Sequence, residues 1–176
     1  EKNSGTIISN YIDEENLSPE EAKDLKSFFQ TLDGGEMRCR FDMQISPPDI
    51  FITNYSMLSV MLMRDIDSEI FEITKKWLNC EDVPEKNKIN EKKKRIFHLV
   101  IDELHLYRGT QGTEVAYLLR LVLNRLGLHP HHPQLKILAS SASLDAEDPE
   151  SIGFLEDFFG IDNSLKPFKI IKGDFN

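Results

Sequence analysis

Three short apolar runs, each followed by small polar or acidic residues, constrain the fold of this 176-residue chain more than any other feature. They are Ile50–Ile52 before Thr53-Asn54, Ile96–Ile101 before Asp102-Glu103, and Leu135–Ala139 before Ser140-Ser141. Helical patterns separate the runs, and within each run the apolar residues are continuous rather than alternating. This combination predicts an α/β fold in three layers, a parallel sheet with helices on both faces.

The segments around these runs predict helices. Ser18-Pro19-Glu20-Glu21 has the pattern of a helix start, with a capping serine, a proline and a glutamate three residues after the cap; Gly34-Gly35 ends that helix. Further helices are predicted after Ser56 and after Asp67, over Thr113–Leu126 and over Pro149–Phe159, and a last strand over Phe168–Ile171. We therefore divide the chain into a helical N-terminal segment, residues 1–34, and a main unit, residues 35–176.

The net charge of the chain excludes fewer functions than its pattern of apolar and polar residues does. A net charge of −9 has the wrong sign for a dedicated nucleic-acid-binding domain. Residues 86–95 hold six bases and one acid, which fits either a phosphate-binding patch or, as we favour, a solvated basic loop over residues 84–95. Two cysteines, no signal peptide and no apolar run near the ~20 residues that span a bilayer favour a cytoplasmic protein without a membrane partner.

The polar residues after the apolar runs predict a site. Ligands of open parallel sheets bind outside the carboxyl ends of the strands, so these residues are expected at one edge. Asp102, just past a buried strand, is placed to hold Mg²⁺ through water, and Glu103 is placed to take a proton from an attacking water. His105 is within reach of a serine of Ser141-Ala142-Ser143.

Three motifs carry a resemblance to a known family. Asp102-Glu103-Leu104-His105 resembles the Walker B motif (motif II) of superfamily 2 DEAD/DEAH-box-type helicases, and Ser141-Ala142-Ser143 resembles their motif III. Residues 48–58 resemble motif Ib, and all three motifs occur in the expected order. The wider strings Gly35–Arg38 and Tyr107–Tyr117 are similar to a large bacterial branch that is associated with repair or phage defence. The resemblance covers about Gly35 to Gly173.

The resemblance implies a fold, two cofactors and a set of roles. Residues 35–176 would be the C-terminal half of the first RecA-like domain, residues 1–34 an insertion before motif Ib, and the cofactors ATP and Mg²⁺. Asp102 would hold Mg²⁺ and Glu103 would activate water. The residues that would couple nucleotide state to nucleic-acid grip are His105, Ser141 and Ser143. The residues that would contact the backbone of DNA, or alternatively RNA, are Thr53, Asn54, Ser56 and Arg108, although Asn54 replaces the usual proline.

The phosphate-binding part of this family is missing from the sequence. No Gly-Lys-Ser or Gly-Lys-Thr occurs, so no P-loop is present. We therefore expect the P-loop half and a second RecA-like domain to belong to the rest of a longer polypeptide, and the 176 residues alone to hydrolyse no ATP. Two alternatives stay open: a non-catalytic α/β scaffold derived from a helicase, and a metal-dependent hydrolase using Asp102, Glu103 and His105.

Overall fold

A computed structural model describes residues 18–27, 35–37, 39–145 and 147–171, which form seven α-helices and two β-strands. The elements are α1 Pro19–Ser27, α2 Arg40–Ile45, α3 Tyr55–Met63, α4 Ser68–Leu78, α5 Glu85–Lys92, β1 Phe97–Ile101, α6 Gly109–Arg125, β2 Leu135–Ala139 and α7 Pro149–Phe159. The chain divides into two compact units, Glu1–Met43 and Gln44–Asn176. The division after residue 34, drawn from sequence pattern, stays a prediction.

The two strands form a parallel pair. Phe97 lies opposite Leu135 and Ile101 opposite Ala139, and α6 lies in the crossover that a parallel pair requires. The prediction of these two strands, and of a parallel α/β arrangement, is confirmed. Helix α7 has its predicted bounds, and α6 begins at Gly109, four residues before the predicted start.

The two other predicted strands are wrong. Residues 50–54 and 167–171 contain no strand, and the side chains of Ile50 and Ile52 are 80% and 92% exposed. Phe168 and Ile170 pack against the core, but without ladder pairing. An apolar run indicates only that its side chains tend to be buried. A strand also needs a neighbouring strand that bonds its backbone amide and carbonyl groups. No described strand supplies that neighbour to either segment.

One hydrophobic cluster of the core lies on one face of the β1–β2 pair. Its buried members come from the turn after β1, from α6, from α7 and from the residue after Gly160: Leu104, Val115, Ala116, Leu119, Leu155, Phe158, Phe159 and Ile161. Leu99, Ile101 and Ile137 pack against this cluster from the sheet. On the opposite face Val100 and Leu138 are 65% and 56% exposed. Among the described residues the sheet is thus covered on one face, not on both as predicted.

The basic segment is a helix and not the predicted loop. Ion pairs one turn apart support α5 and the residues after it, with Lys88 Nζ 2.7 Å from Glu85 and Lys94 Nζ 2.6 Å from Glu91. Arg95 forms two parallel hydrogen bonds to the carboxylate of Asp82, at 2.6 and 2.8 Å, which lower the pKa of that carboxyl. Much of the positive charge is therefore paired locally.

A short polar side chain caps the start of α1, α3 and α7. At α1 the hydroxyl of Ser18 donates to Glu21 and accepts from the Glu21 amide, which confirms the predicted start; the predicted end at Gly34 lies outside the described residues. At α3 the cap is Asn54, two residues before the predicted Ser56. Asp67 does occupy the cap position of α4, but its buried carboxylate accepts from Gln44 Nε2 and makes no capping bond. None of the described helices has the length and apolar character needed to cross a bilayer.

Candidate functional site

The carboxyl ends of β1 and β2 bring the predicted acidic residues beside a serine. Asp102 and Ser140 follow the last paired residues, Ile101 and Ala139. The amide of Ser140 donates to the carbonyl of Ile101 at 2.9 Å, and the carbonyl of Ser140 accepts from the amide of Leu104 at 2.8 Å. These two backbone hydrogen bonds join the strand ends beyond the last paired residues of the sheet.

The side chains at this edge form a small hydrogen-bonded group. The hydroxyl of Ser140 donates to Oδ1 of Asp102 at 2.5 Å. The amide of Glu103 donates to the same Oδ1 at 3.1 Å and to Oγ of Ser140 at 3.0 Å. Among the described residues no hydrogen bond involves Oδ2 of Asp102, so this oxygen can face a cation or its water. Carboxylate oxygens are ligands that Mg²⁺ prefers, so the donor set fits that ion.

The backbone of Glu103 is left-handed, with φ 52° and ψ 46°. This conformation costs a residue with a Cβ about 1–2 kcal/mol. The two hydrogen bonds of the Glu103 amide offset that cost, and the carboxylate itself is exposed. Such strained residues are found preferentially at functional sites.

His105 links Glu103 to the turn after β2. Its Nδ1 accepts from the backbone amide of Ala142 at 3.4 Å and lies 3.3 Å from Oε2 of Glu103. An imidazole nitrogen either accepts a hydrogen bond or carries a proton, so Nδ1 can bond the Ala142 amide or pair with Glu103, but not both. The predicted contact to this turn is made to its backbone rather than to a serine hydroxyl.

The turn after β2 begins with Ser140, a residue that was expected at this edge from the sequence but was given no role. Ser141 and Ser143, assigned to coupling, bond each other, the amide of Ser143 donating to Oγ of Ser141 at 3.4 Å. Ser140 is the residue that contacts Asp102. The signal was available, because in a parallel pair the residue after Ala139 lies opposite the residue after Ile101.

The residues near the start of α3 were assigned to contact the backbone of a nucleic acid. Their described hydrogen bonds are with sequence neighbours. Asn54 Oδ1 accepts from the amide of Met57 at 2.8 Å, and Thr53 Oγ1 donates to the carbonyl of Asn54 at 3.4 Å. Ser56 is exposed in the first turn. Helix α3 packs against α6, but no described hydrogen bond joins these three residues to the edge that carries Asp102.

Arg108 sits immediately before α6 and is exposed. Its guanidinium lies over the ring of Phe154, 5.5 Å from the centroid. The turn beside it is closed tightly, since a Cβ on Gly112 would lie 1.9 Å from the carbonyl oxygen of Tyr107. Only glycine fits there without a backbone shift.

The described residues contain no group of three or more His, Cys, Asp or Glu side chains that could hold a metal ion. Asp102, Glu103 and His105 are thus not arranged as a self-contained metal centre. A cation at this edge needs further ligands, and the phosphates of a nucleotide are the usual source for Mg²⁺.

The fold and this edge define a parallel α/β unit with an acidic strand end. The chain is 40% identical over 139 residues to Druantia protein DruE of Escherichia coli (strain UMEA 4076-1). The match takes in 78% of this chain and 7% of that protein, so the chain corresponds to a small part of it. No protein-family profile and no solved structure matches the chain.

Proposed function

We propose that these residues are the acidic half of the nucleotide site in an ATP-dependent nucleic-acid helicase or translocase of superfamily 2, within a first RecA-like domain. The observation that supports this most is the edge at which Asp102 and Glu103, just beyond β1, are bonded to Ser140, just beyond β2. The order of the three motifs supports the same assignment, since motif II and motif III then face each other across two parallel strands.

Each carboxylate has a distinct task in this proposal. Mg²⁺, when bound with ATP, neutralises charge that develops on the transferred phosphoryl group. Asp102 would hold the ion through water, with its Oδ1 fixed by Ser140 and by the Glu103 amide. The exposed carboxylate of Glu103 orients and deprotonates the attacking water. The phosphates need a P-loop, which the longer polypeptide supplies.

The remaining assignments concern the nucleic acid and the biological role. His105 couples Glu103 to the turn that holds Ser141 and Ser143 by exchanging partners, since its Nδ1 bonds either the Ala142 amide or Glu103. The backbone of DNA, or of RNA, contacts the start of α3, at Thr53, Asn54 and Ser56, and Arg108 at the start of α6. Similarity to Druantia protein DruE and the resemblance to a defence-associated helicase branch support a role in phage defence.

The test is ATP hydrolysis by the full-length polypeptide that contains these residues, with and without single-stranded DNA and RNA. We expect nucleic-acid-stimulated hydrolysis that Glu103→Gln lowers at least about 100-fold, because it removes the general base. Glu114→Gln, an exposed glutamate on α6, is the matched control and should stay within about twofold. The 176 residues alone should show no turnover.

Two results would contradict the proposal. Hydrolysis that is equally fast in Glu103→Gln would remove Glu103 from the chemistry. A full-length polypeptide that is folded but neither binds nor hydrolyses ATP would favour the non-catalytic scaffold instead.

A further inference from the structure

We propose that Ser140 is a positioning residue that sets the orientation of Asp102 and the backbone of Glu103, a role that rests on the proposed function. Ser140 lies just before Ser141-Ala142-Ser143, so the motif resemblance gives it no task. The assignment comes from its contacts alone.

Ser140 bonds four consecutive residues of the other strand end. Its amide donates to the carbonyl of Ile101, and its carbonyl accepts from the amide of Leu104. Its hydroxyl donates to Asp102 at 2.5 Å and accepts from the amide of Glu103 at 3.0 Å. The two backbone bonds do not depend on the side chain, whereas the two hydroxyl bonds reach the residues to which we assign metal and water.

A hydroxyl can do both tasks at once because it has one hydrogen and two acceptor lone pairs. The hydrogen fixes Oδ1 of Asp102, while Oδ2 has no hydrogen bond among the described residues. A lone pair of the hydroxyl accepts a hydrogen bond from the amide of Glu103. This bond stabilises the left-handed backbone at Glu103. Without the hydroxyl, the carboxylate keeps only the Glu103 amide as a partner and can rotate. Groups that orient a metal-holding carboxylate in this way typically contribute 10–100-fold to metal affinity or activity.

The experiment compares Ser140→Ala, Ser140→Thr and Ser46→Ala in the full-length polypeptide. Mn²⁺, a paramagnetic substitute for Mg²⁺, is titrated in the presence of a non-hydrolysable ATP analogue, and its affinity is read by electron paramagnetic resonance. Hydrogen–deuterium exchange around Glu103, together with kcat and the KM for ATP, completes the measurement.

We expect Ser140→Ala to weaken Mn²⁺ binding about tenfold and lower kcat by a similar factor, with the KM for ATP unchanged within about twofold. Exchange at the Glu103 amide becomes faster. Ser140→Thr keeps the hydroxyl and restores both affinity and kcat to within about threefold. Ser46, an exposed serine after α2, is the matched control, and its alanine variant behaves as the wild type.

Three results separate the possibilities. Unchanged Mn²⁺ affinity and exchange in Ser140→Ala would overturn the role of Ser140 while leaving Glu103→Gln free to support the proposed function. Equal losses in Ser140→Ala and Ser140→Thr, with a lowered melting temperature in both, would reduce Ser140 to a fold-holding residue and also overturn the proposal. ATP hydrolysis insensitive to Glu103→Gln would refute the proposed function itself, and with it the task of Ser140.

Discussion

Two regions of the chain have the same sequence pattern and different structures. Residues 50–57 and residues 99–106 each begin with three apolar side chains, continue with two polar ones, and lead into a helix or a helical turn. In the first region the polar side chains bond within a few residues, as Asn54 does to Met57. In the second region Asp102 and Glu103 bond Ser140, 38 and 37 residues away.

The two regions differ in whether a second strand pairs with them. The second region runs beside β2, so the polar residues after it meet a second strand end. The first region has no strand beside it among the described residues, and its apolar side chains are exposed. Polar residues after an apolar run therefore meet others across the sheet only where two strand ends are joined. An apolar run followed by polar residues is not sufficient for this arrangement.

The largest expected difference between the regions is in their contribution to stability. Leu104, in the turn after Asp102, is fully buried in the core, whereas Ile52 is 92% exposed. Leu104→Ala should lower the free energy of unfolding by about 2–5 kcal/mol, because it leaves a cavity. Ile52→Ala should change it by no more than about 0.5 kcal/mol. Urea denaturation measures the free energy of unfolding of both variants. Equal losses would contradict the expected difference between the two regions.

A smaller effect is expected at the turn that supports the second region. Gly112→Ala puts a Cβ against the backbone carbonyl of Tyr107 and should cost about 1–3 kcal/mol. Gly153, on α7, has open space around it, so Gly153→Ala should instead stabilise the protein by about 0.5–1 kcal/mol. Thermal unfolding should therefore move in opposite directions for two helical glycines. A stabilising shift in Gly112→Ala would show that the turn at Tyr107 is not tightly closed.

The smallest effect concerns two helix caps and their response to pH. Asn54→Ala should cost about 1 kcal/mol at any pH, since an amide does not titrate. At α7, the hydroxyl of Ser151 and then the amide of Glu150 lower the pKa of Asp148 from 3.8. Stability from the ionised cap is complete at neutral pH and is lost as the pH falls through the lowered pKa.

Asp148→Asn is the variant that isolates this titration. Its deficit relative to the wild type should be present at pH 7 and should shrink below pH 3.8, as the wild-type carboxyl becomes protonated. Urea denaturation at several pH values gives both profiles. A deficit for Asp148→Asn that does not change with pH would show that the hydrogen bonds, not the charge, stabilise α7.

The parts of the fold that sequence predicted well are those with local signals. Helix α7 was predicted at its true bounds because Asp148 and Pro149 start it and Gly160 ends it. β1 and β2 were predicted because five consecutive residues in each suit a paired position. The basic helix α5 was missed because its stabilising ion pairs outweigh a composition that is typical of loops.

The position of three residues at the strand edge was predictable for the same reason. Asp102, Glu103 and His105 directly follow a strand, so the local pattern was enough to place them beside the end of β2. Their roles stay a prediction. Ser140 was expected at the same edge but given no role, because its contact with Asp102 depends on the register between two strands. The exposure of residues 50–52 could not be predicted from local pattern either, because it results from the lack of a described strand beside them.

The separation along the chain between Glu103 and Ser140 also makes their contact a long-range one. Helix α6 can form from its own residues, whereas the strand edge requires the closure of a loop 37 residues long. During synthesis the chain emerges from its amino end, so Asp102 and Glu103 leave the ribosome well before their partner serine. Until Ser140 and Ala142 have followed, Asp102, Glu103 and His105 lack the hydrogen-bond partners across the strands that they have in the folded protein.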